Sequence, residues 1–420
     1  MSVPVPLPRV EAFEKLGFGM FVHWGLYSLV GRGEWAPLLH KIPFEEYQKL
    51  AADFTASDFN AEELAKTARE AGMKYIVLTA RHCEGFSLYD TCGLNEFDAP
   101  HSAAGRDLVA EFVTACRKYE IIPFFYHATI DWYWEGKTTA SLSAEDFERY
   151  LEYLHASIEL LCKNYGKIGG FWLDGNWDRP GDDWKEDRLY GMIRKYQPDA
   201  MIVNNTGLWQ QGQIGHPEID SVTYEQGCAT WIDREGQPKY VAGEVCRTMN
   251  SHWGIGTQDF SYASPREMIE LLAQCRSFRA NLLLNIGPSG QGGIPAYERE
   301  TLKIIGKWCA LYREAIYSPV PVREIRCPGR DFVLKEGKHY YYFAHDLVVR
   351  GSENVIKTNG IAGGRTLEHF PEEVVSAYWM EDGQPVEFLR NAAAGSLTVD
   401  CSGFPYGSNT VVRVMKITVR

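Results

Sequence analysis

Short apolar runs of strand length alternate with longer amphipathic stretches over the first three quarters of the chain, an order that predicts a parallel sheet with helical crossovers. Eight runs read as strands, at 17–22, 75–79, 123–126, 170–173, 201–203, 221–223, 241–245 and 281–284. The run at 221–223 is the least marked, because its flanks are polar and glycine-rich. Between them, helical periodicity covers 61–71, 106–119, 144–164, 184–196 and 264–278. Two of these carry start signals. Ser143 precedes Ala144-Glu145, and in Ser264-Pro265-Arg266-Glu267 a serine hydroxyl, a first-turn proline and a back-reaching glutamate form a capping pattern. Eight such alternations predict an α/β fold, a TIM-like (β/α)8 barrel over 1–318, with an open doubly wound sheet as the alternative.

From about residue 319 the texture changes. Runs beginning at Asp331, His339, Ser376 and Thr410 alternate with Gly, Asp and Asn turns at intervals typical of antiparallel strands. They predict a small antiparallel β-sandwich over 319–420. A chain of 420 residues exceeds what one hydrophobic core usually organises, so two domains are expected on size as well.

Net charge is −12, from 43 Lys+Arg against 55 Asp+Glu, with both signs interspersed. Nucleic acid and anionic membranes are therefore not expected partners. No stretch approaches the roughly 18 apolar residues of a membrane span. The prolines of Met1–Arg9 interrupt the apolar helix a signal peptide needs, which predicts a cytoplasmic protein, or a secreted one only if a leader was removed. Ten cysteines lie scattered without CxxC pairs, as expected of free thiols in a reducing compartment, and the chain offers no zinc-binding spacing. Twelve Trp, 23 Tyr and 20 Phe supply flat apolar faces, several beside polar residues at the ends of apolar runs. Carbohydrate sites use such faces.

In a barrel the reacting groups come from the carboxyl ends of the strands. Those positions hold His23 and Trp24, then Arg81, His82, Cys83 and Glu84, then Tyr126 and His127, then Asp174, Glu244 with Arg247, and finally Asn285. Trp172 and Asp174 lie two apart on one strand and share a face, so an indole wall and a charge enter the same space. Two carboxylates on different strands can cleave a glycosidic bond, one attacking the anomeric carbon while the other, kept protonated, donates to the leaving oxygen. Asp174 is the candidate nucleophile. Glu244 and Glu225 both follow apolar strand-like residues, and spacing alone does not choose the acid/base between them. A metal-dependent barrel hydrolase is the rival reading, but it calls for a His-x-His pair on one strand, and His23-Trp24-Gly25 has none. A catalytically silent carbohydrate-binding protein on the same fold is the third.

The chain resembles the retaining α-L-fucosidase family of glycoside hydrolases. The resemblance rests on Phe18-Gly-Met-Phe-Val-His-Trp-Gly25, Gly33-Glu-Trp35, Lys74-Tyr-Ile-Val-Leu-Thr-Ala-Arg-His-Cys-Glu-Gly-Phe86 and Phe171-Trp-Leu-Asp-Gly175, and further on Glu244-Val-Cys-Arg-Thr-Met-Asn-Ser-His-Trp-Gly254 and Asn281-Leu-Leu-Leu-Asn-Ile-Gly-Pro288, all in order. It implies a barrel followed by a sandwich, an exo-acting enzyme releasing terminal fucose from oligosaccharides or glycoconjugates by double displacement, and neither metal nor cofactor. By motif it makes Asp174 the nucleophile and Glu244, rather than Glu225, the acid/base. It also places His23, Glu34, Trp35, His82 and Trp172 around the fucose hydroxyls and ring, with Tyr126 or His127 joining them and Trp253 in the acid/base segment. Cys83 departs from the pattern, since the family usually has a second sugar-binding histidine there. A thiol is a weak hydrogen-bond partner, so either His127 supplies the missing bond from the neighbouring strand or the hydroxyl recognition has changed. Gly243 and Ile255 depart as well, where the family often has aromatics, and these changes bear on linkage preference.

Overall fold

Strand β1 (Phe18–Val22) pairs in parallel with β2 (Tyr75–Arg81) on one side and with β8 (Ala280–Ile286) on the other, and this double pairing closes an eight-stranded barrel. Around the ring stand β3 (Ile122–Ala128), β4 (Gly170–Asp174), β5 (Met201–Asn205), β6 (Ser221–Glu225) and β7 (Ala242–Arg247), in chain order. The computed structural model describes residues 2–205, 212, 214–347, 363–401 and 411–420. The strands are buried almost throughout, one face in the barrel interior and the other away from solvent behind it, so they read as continuous apolar runs rather than alternating ones. Seven outrun their apolar stretch: β2 to β8 each end in one or two further residues, and Asp174 and Glu225 are the last residues of β4 and β6. Helices Ala61–Glu70, Leu108–Lys118, Ala144–Asn164, Glu186–Tyr196 and Pro265–Ser277 follow the predicted amphipathic stretches. Ser143 caps the third by accepting from the Asp146 N–H, and Ser264 with Glu267 forms the full capping box.

One irregularity decides which histidine faces inward. Thr79 pairs with Tyr126, and the next partners are Arg81 and His127, so one extra residue bulges from β2. Without it Arg81 would share the inward face of Thr79. With it, Arg81 turns out of the barrel, where its guanidinium meets the Ala128 carbonyl and the Tyr150 hydroxyl, and His82 turns in.

The floor of the barrel is aromatic. Phe13, Tyr75 and Phe124 pack with ring centroids 5.3–5.9 Å apart. Gly19 is required here, because a Cβ on it would lie 2.4 Å from the Tyr75 ring. Just before β6, Asp220 is fully buried and receives Arg9 at 3.0 Å, Arg194 at 2.7 Å and Lys239 at 2.8 Å, which hold its carboxylate below the usual range against the cost of burial. Removing one member of such a cluster leaves the others uncompensated. Asp220→Ala should therefore cost about 3 kcal/mol in urea unfolding. A midpoint equal to wild type would contradict this account.

The chain divides into two compact units, one of Met1–Ala263 with Asn281–Glu300, the other of Ser264–Ala280 with Thr301–Arg420. In the second, β9 (Val320–Pro321), β10 (Phe332–Glu336), β11 (His339–Ala344), β13 (Val374–Trp379) and β16 (Arg413–Val419) form a five-stranded antiparallel sheet in the order β13-β16-β11-β10-β9. A three-stranded sheet holds β12 (Gly364–Leu367), β15 (Ser396–Asp400) and β14 (Phe388–Asn391) in that order. Residue 410, where the last predicted run begins, lies outside the described residues. Tyr342, Leu397, Val399, Met415 and Ile417 are among the residues of the core, contributed by both sheets. Among the described residues no helix is long and apolar enough to cross a membrane.

Candidate active site

Asp174 ends β4 with its carboxylate partly exposed at the mouth of the barrel. The Tyr126 hydroxyl donates to Oδ2 at 3.0 Å and the Trp177 indole N–H to Oδ1 at 2.9 Å. The Asn205 side chain and the Gly175 N–H also favour its charged form. Burial raises the Asp174 pKa and these donors oppose the rise, which favours the carboxylate a nucleophile needs. Gly175 adopts φ +123°, and a Cβ there would meet the Thr129 hydroxyl at 2.8 Å, so glycine permits the turn that brings Trp177 back onto Asp174.

Glu225, at the end of β6, lies within reach of the Asp174 charge. Asn205 Nδ2 donates to its Oε2 at 2.6 Å, and the same side chain favours the charged form of Asp174, so one amide serves both carboxyl groups. The Trp253 side chain bonds Glu225 as well. Burial first, and the charge of Asp174 second, lift the Glu225 pKa to about 7.

Glu244, to which the resemblance gives the acid/base role, has its carboxyl committed to other partners. Thr223 pairs with Glu244 and Glu225 pairs with Cys246, so Glu244 lies two residues, roughly 6.6 Å along a strand, deeper than Glu225. It is 1% exposed, with Oε1 accepting from the Trp172 indole at 2.8 Å and Oε2 from the Tyr75 hydroxyl at 2.5 Å. Cys246 takes the mouth position on β7.

The other predicted residues divide in the same way. His23 is buried and neutral, its pKa pushed down to about 3 by burial. Asn285 Nδ2 donates to the Trp253 carbonyl at 2.7 Å, so Asn285 Oδ1 must accept the 2.7 Å bond from His23 Nδ1. This leaves His23 Nε2 as an acceptor. His82 stacks on Tyr126 at 5.4 Å and 12°, and burial together with His23 holds it neutral. Tyr126 points inward. His127, one residue on, points out of the barrel, where Nδ1 meets the Ala128 carbonyl at 2.8 Å and Nε2 the Tyr89 hydroxyl at 3.3 Å. It therefore does not replace the histidine that Cys83 displaces, which removes the first of the two alternatives, because strand side chains alternate and only one of two neighbours can face in. Cys83 itself bonds Tyr126 close to Asp174, and burial keeps the thiol protonated.

Glu34 Oε2 accepts from the Trp253 N–H at 3.1 Å and the Gly254 N–H at 2.8 Å, which ties down the loop that carries Trp253 to Glu225. Trp253 also packs on His23 at 5.0 Å. Trp35 stands between Trp132 at 5.0 Å and Trp177 at 5.9 Å. Trp172 stacks on Tyr126 at 5.8 Å, directly below Asp174 on β4. Asn205, Trp177 and Cys246 were not foreseen. Asn205 follows an apolar strand run and was findable by the strand-end rule, whereas Trp177 sits in a loop that no periodicity marks. Among the described residues, no group of three or more His, Cys, Asp or Glu is placed to hold a metal ion.

Residues 6–314 match the Alpha-L-fucosidase family. Tissue alpha-L-fucosidase of Rattus norvegicus is 29% identical over 349 residues, 76% of this chain and 71% of that protein. Alpha-L-fucosidase isoenzyme 1 of Paenibacillus thiaminolyticus is 30% identical with a TM-score of 0.84, over 98% of this chain and 99% of that one. An alpha-L-fucosidase of Bacteroides thetaiotaomicron, solved as a trapped covalent intermediate with 2-fluoro-fucosyl fluoride, shares the fold at a TM-score of 0.82 and 21% identity over 100% of this chain and 98% of that one.

Proposed function

Since the chain belongs to the alpha-L-fucosidase family of glycoside hydrolases, we propose that it releases terminal α-L-fucose from oligosaccharides or glycoconjugates by double displacement, with Asp174 as nucleophile and Glu225, rather than Glu244, as acid/base. The observation that carries the assignment is the nearness of Asp174 to Glu225 at the barrel mouth, where the charge of Asp174 reaches Glu225 and one Asn205 amide serves both. Glu244 has both oxygens engaged one layer below.

In the first step Asp174 attacks the anomeric carbon while protonated Glu225 donates to the departing oxygen. The charge of Asp174 helps keep Glu225 protonated. Once Asp174 becomes a neutral ester that charge is gone and the Glu225 pKa falls. Glu225 can then take a proton from the water that releases fucose. One pair of carboxyl groups thus supplies the acid and then the base. The bare Nε2 of His23, the His82 ring and Glu34 face the sugar hydroxyls in this reading, and Trp35, Trp172 and Trp253 its apolar surfaces.

The free-enzyme profile follows from the sign of the shift. Glu225 must be protonated to donate, so kcat/KM on an aryl α-L-fucoside with a poor leaving group should decline as pH rises through about 7. The same enzyme should leave aryl β-D-galactoside, α-L-arabinoside and β-D-fucoside comparatively untouched. Preference for any of these over the α-L-fucoside would overturn the substrate assignment.

A further inference from the structure

Glu244 takes no part in the reaction as assigned, yet it is fully buried and both its oxygens are committed. We propose that Glu244 is a positioning residue that holds the Trp172 indole in place beneath the sugar by accepting its N–H. The proposal rests on the reading that fucose binds at Asp174 and Glu225.

Trp172 has one polar atom, and it is buried. Tyr126 stacked at 5.8 Å and Phe21 at 5.1 Å restrict the tilt of the ring, but apolar contacts do not choose which edge faces down. The 2.8 Å bond to Glu244 Oε1 does. A buried indole N–H deprived of its acceptor would lose a hydrogen bond outright, or the ring would turn to find another. Trp172 and Asp174 share one face of β4, so a turned ring alters the surface immediately under the nucleophile.

Glu244 is in turn held from below. The Tyr75 hydroxyl donates to Oε2 at 2.5 Å, and the Tyr75 ring lies across Gly19 in a space that any Cβ would fill. A continuous support therefore runs from Gly19 through Tyr75 and Glu244 to Trp172. Its hydrogen bonding survives protonation. As a carboxylate, Glu244 accepts from both neighbours; as the acid, it gives its proton to the Tyr75 oxygen and still accepts from Trp172 on Oε1. A glutamine reproduces the second arrangement, with its carbonyl toward Trp172 and its amide toward Tyr75.

The test uses the full chain and an aryl α-L-fucoside with a poor leaving group. Glu244→Leu should raise KM about tenfold or more, as expected when a buried donor is orphaned, with the decline above pH about 7 still present and no rescue by azide. Glu244→Gln should restore KM to within about threefold of wild type. Trp172→Phe keeps a ring and removes the N–H, so adding Glu244→Leu to it should cost less than about twofold more. A fully multiplicative loss overturns the proposal. If Glu244→Leu does not fold, Glu244→Gln carries the test: the Trp172 indole N–H resonance, identified by its disappearance in Trp172→Phe, should shift yet stay protected from solvent exchange, and an unmoved or unprotected resonance overturns the proposal. Azide rescue together with loss of the alkaline decline in Glu244→Gln would make Glu244 the acid/base and sink both readings. An unimpaired Glu225→Ala would sink only the reaction assignment, because the indole resonance and the double-mutant cycle do not depend on it.

Discussion

Asp174→Gly should lose turnover of aryl α-L-fucosides by on the order of 10⁶-fold, the scale seen when a covalent nucleophile is removed. The replacement deletes the carboxylate and leaves a space bounded by the Trp177 N–H, the Tyr126 hydroxyl and Asn205. Those donors are arranged for an anion. Azide should therefore enter, attack the anomeric carbon of an activated α-L-fucoside from the Asp174 side and leave a β-fucosyl azide of inverted configuration. Recovery of activity with that product identifies both the residue and the face of attack. Undiminished hydrolysis in Asp174→Gly would remove the nucleophile assignment altogether.

Glu225→Ala should produce a different pattern. General acid assistance contributes about 10²–10⁴-fold, and it matters most when the leaving group is poor. Substrates with strongly activated leaving groups should keep most of their first-step rate while poor ones lose that factor, and the decline above pH about 7 should vanish with the group that causes it. Azide should speed release of the fucosyl-enzyme, because an anion needs no base, and should give an azide of retained configuration. The same pattern in Glu244→Ala, with Glu225→Ala unimpaired, would return the acid/base role to Glu244.

Much of this was legible in the order of residues. The alternation of strand-length apolar runs with capped amphipathic helices is a local property, and it specified eight strands and their crossovers because short apolar runs and 3.6-residue stripes can each be buried in only a few ways. Asp174 was identifiable for the same reason. A carboxylate closing an apolar run and followed by glycine lies at a strand end, and parity alone puts Trp172 on its face. His23 and His82 were likewise placed near the mouth by their positions along the chain, whereas Glu34 came only with the resemblance. Strand ends were less well read, since β2, β3, β6 and β7 continue into polar residues that hydropathy assigns to loops.

Two matters were decided only when the strands were laid side by side. Whether Tyr126 or His127 faces inward depends on the phase of β3, and whether Arg81 or His82 does depends on a one-residue bulge in β2 that the spacing of apolar residues does not announce. The choice between Glu225 and Glu244 is of the same kind. Both follow apolar residues on neighbouring strands, and each is locally as good a strand-end acid as the other. What separates them is the stagger of β7 against β6, which sets Glu225 opposite Cys246 and draws Glu244 down to the level of Thr223. The sequence by itself determined the barrel and the strand-end side chains gathered at its mouth, because these follow from local pattern. Tertiary structure alone decided which carboxyl the charge of Asp174 reaches and which accepts from the Trp172 indole, because register between strands is a relation across the chain, set by barrel closure and core packing, that no single segment encodes.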